Sequence, residues 1–210
     1  MTHQHPILYS FRRCPYAMRA RLAIASSQQT VELREIVLRD KAPEFLSASP
    51  SGTVPCLVVE GQSIDESLDV MKWALAQNDP ENWLSMPAEG WGLIERCDGP
   101  FKRALDRTKY ATRYPDEDPE ENRDKAMAFL RDLDDGIDQW IFDRPTIADY
   151  AILPFVRQFA HIDKAWFDAQ NLPSVQKWLA TFLTAPRFSD IMSKYDKWQA
   201  GDDPIFFGSA

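Results

Sequence analysis

The chain is poor in the residues that staple a fold or hold a metal. Its 210 residues include three cysteines and three histidines. Cys14, Cys56 and Cys97 are an odd and widely spaced set, which excludes the dense, even disulfide framework of a small secreted domain and leaves thiols as the expected state. None of these spacings resembles a zinc site, and His3, His5 and His161 offer no paired ligand geometry, so no metal is assigned. No apolar run approaches the roughly 20 residues that cross a bilayer. The leader Met1–His5 has neither the charged nor the apolar segment of a secretory signal, so a cytoplasmic location without a membrane partner is expected. Basic clusters are missing as well. The formal charge is −8, and the nearest approach to a cluster is Phe11-Arg12-Arg13, which argues against nucleic acid as a partner.

What is present is an ordinary globular composition, 44% apolar and 27% charged, with length enough for two small domains. The first third alternates short β-type runs with helical stretches: Ile7–Tyr9, Tyr16–Ser26, Val31–Leu38 and Pro43–Ala48. Val54–Val59, a turn at Glu60-Gly61-Gln62, a strand at Ser63–Asp65 and a helix from Ser67 to about Ala76 follow. Two strands joined so closely form a hairpin. The sum, βαβαββα, predicts a thioredoxin-like domain over residues 1–78, with a mixed four-stranded sheet.

Asn78-Asp79-Pro80-Glu81-Asn82 is rich in turn formers and predicts a linker over 79–87. From 88 to 210 almost no strand signal remains, and an all-α domain is expected. Ala126, Phe129, Leu130, Leu133, Ile137, Trp140 and Ile141 recur at helical spacing as one buried stripe, with the intervening acids as a solvated face. Ile147–Ala160 is apolar nearly all round, which places it centrally, and Pro154 is expected to bend it. Thr146-Ile147-Ala148-Asp149 has the spacing of a capping box. Further helices are expected over about 88–111 and 172–184, with a short one after Pro186.

The chemistry concentrates at Cys14-Pro15-Tyr16-Ala17. It follows a predicted strand and opens a predicted helix, with Pro15 where its missing N–H costs nothing. A sulfur at a helix N-terminus meets unpaired N–H groups and the positive end of the dipole, and cysteines so placed fall from about 8.5 to between about 3.5 and 7.5. Cys14 is therefore expected to be largely thiolate at neutral pH. Ala17 stands where a Cys-x-x-Cys site has its second thiol, so a mixed disulfide on Cys14 needs an external thiol to resolve it. In cytoplasm that thiol is glutathione. Val54-Pro55 opens an inner strand, and a cis bond there would turn the Val54 backbone toward an extended peptide. At the entry to the next helix, Ser67 and the local N–H groups suit a carboxylate and Glu66 suits an ammonium.

These motifs together, Tyr9 to Ala17, Pro50 to Pro55, Glu66-Ser67 and Thr146 to Asp149, resemble a glutathione S-transferase over essentially the whole chain. The Cys-Pro-aromatic-Ala form is similar to the cysteine-type branches, notably the omega and lambda classes. The resemblance implies a glutathione-dependent thiol transferase that reduces mixed disulfides, dehydroascorbate or similar small oxidants through a Cys14–glutathione disulfide. It implies glutathione held by Val54, Pro55, Glu66 and Ser67, with Phe11 beside the site and Lys41 near the glycyl carboxylate. It also implies a homodimer, and an electrophile pocket that includes Phe11, Trp91 and Arg96. Ser49 stands where the family has Asn. Two other readings follow from the same resemblance: a conjugating transferase that polarises glutathione through Ser10 or Tyr9, and a binding module without catalysis. Cys56, which alternates with Val54 along its strand, and Cys97 are read as core thiols.

Overall fold

A computed structural model describes residues 5–208. The expected order appears: β1 (Ile7–Ser10), α1 (Pro15–Ser27), β2 (Val31–Glu35), α2 (Pro43–Ala48), β3 (Cys56–Val59), β4 (Gln62–Ile64) and α3 (Ser67–Gln77). Glu60 and Gly61, both at positive φ, turn the β3–β4 hairpin, so its second strand starts at Gln62. β1 and β2 are parallel, Ile7 opposite Glu32, while β3 runs antiparallel to β1, Ile7 opposite Val58. α1 packs against α3. Phe45 of α2 meets the Tyr9 ring at 5.3 Å. α1 is buried almost all round, its two arginines included.

The chain divides into two compact units, and the division differs from the expected boundaries. One unit runs through Leu84 and resumes at Ala185; the other is Ser85–Thr184. The presumed linker is instead built into the first unit: Asp79 accepts the N–H groups of Trp83 and Leu84 at 2.8 and 2.9 Å, and the Trp83 ring is fully buried. Nor is the chain from 88 onward all helical. After α10 (Pro186–Ile191), β5 (Ile205–Phe207) pairs antiparallel with β2, Val31 opposite Phe207. The sheet therefore has five strands, in the order β4-β3-β1-β2-β5. Trp198 docks the returning segment: its N–H bonds the Glu35 carbonyl at 2.9 Å, and its ring lies 4.2 Å from the Arg34 guanidinium.

The second unit comprises α4 (Glu89–Arg96), α5 (Lys102–Lys109), α6 (Pro119–Gly136), α7 (Ile147–Ala160), α8 (Lys164–Asp168) and α9 (Pro173–Thr184). The helix expected over 88–111 is interrupted by a π turn, Cys97–Phe101, because Pro100 has no N–H to continue the α ladder. α7 is central, touching α4, α5, α8 and α9. The stripe ending at Trp140 and Ile141 is not one helix. α6 stops at Gly136, and the fully buried Asp149 draws in the following loop, accepting from Ile141 N–H at 3.0 Å and Trp178 Nε1–H at 3.1 Å. Asp149 also closes the expected capping box, taking the Thr146 N–H at 2.8 Å. Burial pushes its carboxyl up against these donors.

Candidate active site

Strand β1 ends at Ser10, and a four-residue loop delivers Cys14 to the N-cap of α1 in extended conformation, φ −73° and ψ 124°. Pro15 opens the helix, and the Cys14 carbonyl takes the Met18 N–H at 2.9 Å. The side chain does not cap the helix. Its thiol points instead to the Val54 carbonyl, Sγ to O 3.7 Å. Cys14 is half-buried, and none of the three cysteines is in a disulfide.

The Val54–Pro55 bond is cis, as its position after a Cys-Pro turn suggested. Val54 and Pro55 are buried, and Cys14 and Phe11 pack against the same apolar cluster as Val54. The Arg13 guanidinium lies 5.7 Å from the Phe11 ring. Ser67 is the first residue of α3 and is buried, with its hydroxyl accepting from Arg19 Nη1 of α1 at 3.4 Å. Glu66 is the exposed N-cap residue, and its carboxylate is not spent on the cap.

Asp65 joins the two loops that carry Val54 and Ser67. It accepts from the Ser49 hydroxyl at 2.7 Å and from the Ser51 N–H at 2.8 Å. Ser49, where the resemblance has Asn, thus has a partner of its own here. Burial pushes the Asp65 carboxyl up, but the bonds from Ser51 and Ser49 outweigh it and hold the group below its ordinary value. Lys41 stands apart: it is half-buried on the segment before α2, and no hydrogen bond joins it to the other candidates among the described residues.

The remaining candidates sort by burial. Ser10 and Tyr9 are both buried, the first hydrogen-bonded by Arg21 and the second by Arg34 at 2.8 Å. Burial pushes the Tyr9 phenol up. Cys56 is fully buried, donates to the Ala48 carbonyl at 3.6 Å, and is pushed up to about 12 by burial and then by the Asp65 carboxylate. Cys97 is buried in the second unit, where Trp91 is partly exposed on α4 and Arg96 pairs with Asp132. Among the described residues no group of three or more His, Cys, Asp or Glu is placed to hold a metal, and no helix is long and apolar enough to cross a membrane.

Sequence reasoning missed the charges beneath the site. Arg19 and Arg21 are fully buried in α1, and Glu35 is buried at the end of β2. The available signal was an Arg-x-Arg inside a helix whose every other face is apolar.

Two family models match the chain: the glutathione S-transferase N-terminal domain over residues 8–83 and the C-terminal domain over residues 93–181. A probable glutathione transferase omega-2 of Caenorhabditis briggsae is 26% identical over 204 residues, covering 85% of this chain and 77% of that protein. A probable maleylacetoacetate isomerase of Caenorhabditis elegans is 34% identical over 83 residues, only 39% of this chain and 38% of the relative. Among solved structures, glutathione transferase Omega 3C from Trametes versicolor aligns with a TM-score of 0.77 at 18% identity, covering 92% of this chain and 91% of that one. A glutathione transferase family member from Pseudomonas fluorescens pf-5, crystallised with two glutathione bound, aligns with a TM-score of 0.73 at 23% identity, covering 90% and 92%.

Proposed function

The chain belongs to the glutathione S-transferase family, and from that premise we propose that it is a cysteine-type thiol transferase with Cys14 as nucleophile and glutathione as co-substrate. The observation that carries this reading is the placement of Cys14, a half-buried thiol at the N-cap of α1 directed at the Val54 carbonyl.

The Cys14 thiolate attacks the glutathionyl sulfur of a mixed disulfide, forming a Cys14–glutathione disulfide and expelling the other sulfur as a thiolate, which takes a proton. A second glutathione thiolate then attacks the glutathionyl sulfur, leaving glutathione disulfide and regenerating the Cys14 thiolate. Ala17, fully buried where a resolving cysteine would stand, favours this intermolecular second step. The Val54 backbone pairs with the cysteinyl unit of glutathione, while Glu66 and Ser67 take the γ-glutamyl head. Lys41 is assigned to the glycyl carboxylate, with Pro55 and Phe11 walling the sulfur.

The conjugating alternative needs Ser10 or Tyr9 at glutathione's sulfur. Both are buried and engaged by arginines, which weighs against it. Cys14→Ala is expected to abolish disulfide reduction while retaining glutathione binding by calorimetry. Full turnover in that variant would overturn the reading. Conjugation of an aryl halide that survives Cys14→Ala and is lost in Ser10→Ala would establish the alternative. A homodimer is part of the proposal, and light scattering at the monomer mass would remove it.

A further inference from the structure

Two buried charges lie next to the Cys14 loop, and the thiol exchange described above uses neither. Arg21 of α1 is 1% exposed and Glu35, the last residue of β2, is 8% exposed. Taking either charge out of water is costly unless specific partners compensate. Their partners converge on one residue of the loop, Arg12. Glu35 Oε1 accepts the Arg12 N–H at 2.7 Å, and Arg21 Nη2 donates to the Arg12 carbonyl at 2.6 Å. Arg21 Nη1 also donates to the Ser10 hydroxyl. Cys14 lies two residues further on, and its own N–H turns back to the Phe11 carbonyl at 3.0 Å. The loop is thus gripped at Ser10 and on both backbone groups of Arg12 by charge-assisted bonds, the strong kind.

We propose that Arg21 and Glu35 are positioning residues for Cys14: a buried pair of opposite charge that fixes the loop through Arg12 and sets, by opposed fields, how readily the thiolate forms. The inference rests on the reading of Cys14 as nucleophile. Burial pulls Arg21 down to about 10, with Glu35 and Cys14 both acting against that shift, so it stays a cation at neutral pH; burial likewise pushes the Glu35 carboxyl up, and the Arg12 N–H and the Arg21 and Arg12 cations act against that.

Other charged and titratable groups surround the site. Arg12 and Arg13 sit on its own loop, and Tyr195 faces Arg21. Tyr9 of β1 and Cys56 of β3 belong to the cluster against which Cys14 packs, and burial pushes both up, Cys56 to about 12. Asp65, beside Cys56, is held below the usual carboxylate range and stays ionised.

The test uses the full chain, with Glu35→Gln and the double variant Arg21→Gln/Glu35→Gln, which avoids leaving a lone buried carboxylate. Circular dichroism melting checks the fold. Iodoacetamide labelling across pH, resolved by peptide mass spectrometry, gives the midpoint of Cys14 reactivity. Glu35→Gln keeps an oxygen for the Arg12 N–H and removes the negative charge, so the midpoint falls by about one pH unit. The double variant removes the cation as well, and its midpoint rises by about one unit relative to Glu35→Gln. A scaffold role alone would not move the midpoint in opposite directions. An unmoved midpoint in folded Glu35→Gln overturns the proposal whatever the double variant does. If Cys14→Ala keeps wild-type disulfide reduction, the nucleophile reading fails regardless of these shifts. If Cys14→Ala is inactive and the midpoints stay put, the charge-pair proposal alone fails.

Discussion

Asp65 shows how one carboxylate organises a site without touching the chemistry. Its two oxygens take the Ser49 hydroxyl and the Ser51 N–H, which ties the loop before Val54 to the turn before Ser67. Because its folded pKa is depressed, the unfolded chain binds its proton more readily, and the contribution it makes to stability is complete above the ordinary carboxylate value of about 3.9. That contribution is lost as pH falls through the folded value. Asp65→Asn is therefore expected to lower stability at pH 7 and to flatten the decline in acid below about pH 4. Urea melts at pH 7 and pH 3 measure both, and an acid decline as steep as wild type's would show that Asp65 contributes none of it. The placement of Cys14 was legible at this scale because its signals are local: a strand, a Cys-Pro step and a helix start lie within a few residues. Arg21 and Glu35 were not, since only the tertiary fold brings α1 and β2 to the same peptide.

Elements form where local signal and tertiary demand agree, and the misreadings fall where they part. The stripe from Ala126 to Ile141 keeps helical spacing past Gly136, yet Asp149 captures the Ile141 N–H and the chain leaves the helix. Periodicity alone does not register a carboxylate eight residues downstream. Pro100, by contrast, is a break visible in the sequence itself, inside the helix expected over about 88–111. Asp149 satisfies the Thr146 and Ile141 N–H groups and the Trp178 indole, all near the central α7. Asp149→Ala leaves these donors without an acceptor, at about 1–3 kcal/mol for each that stays buried. Thermal and urea unfolding of this variant are expected to show a loss of at least about 3 kcal/mol. A change under about 1 kcal/mol would mean that the loop finds other partners.

At the largest scale, the sheet unit is closed by a segment that returns to it after α10. β5 follows Asp202-Asp203-Pro204 and is only three residues long, too short to stand out after the long helical stretch before it. It exists because β2 has an edge to pair. Gly208 makes the final approach at φ +101°, where an added Cβ would lie 2.0 Å from the Gln29 carbonyl oxygen. Gly208→Val is expected to displace β5 and destabilise the protein by about 1–3 kcal/mol. Hydrogen exchange would show the amides of β2 losing protection, and unchanged protection there would refute a closing role for this segment. Whether Cys14 is the nucleophile is tested most directly by trapping. The native protein is incubated with glutathione disulfide, its intact mass is measured and the modified peptide identified. A Cys14 nucleophile takes up a single glutathionyl group, with Cys56 and Cys97 untouched and the adduct cleared by reduced glutathione. No adduct, or one carried by another cysteine while Cys14 stays unmodified, would contradict it.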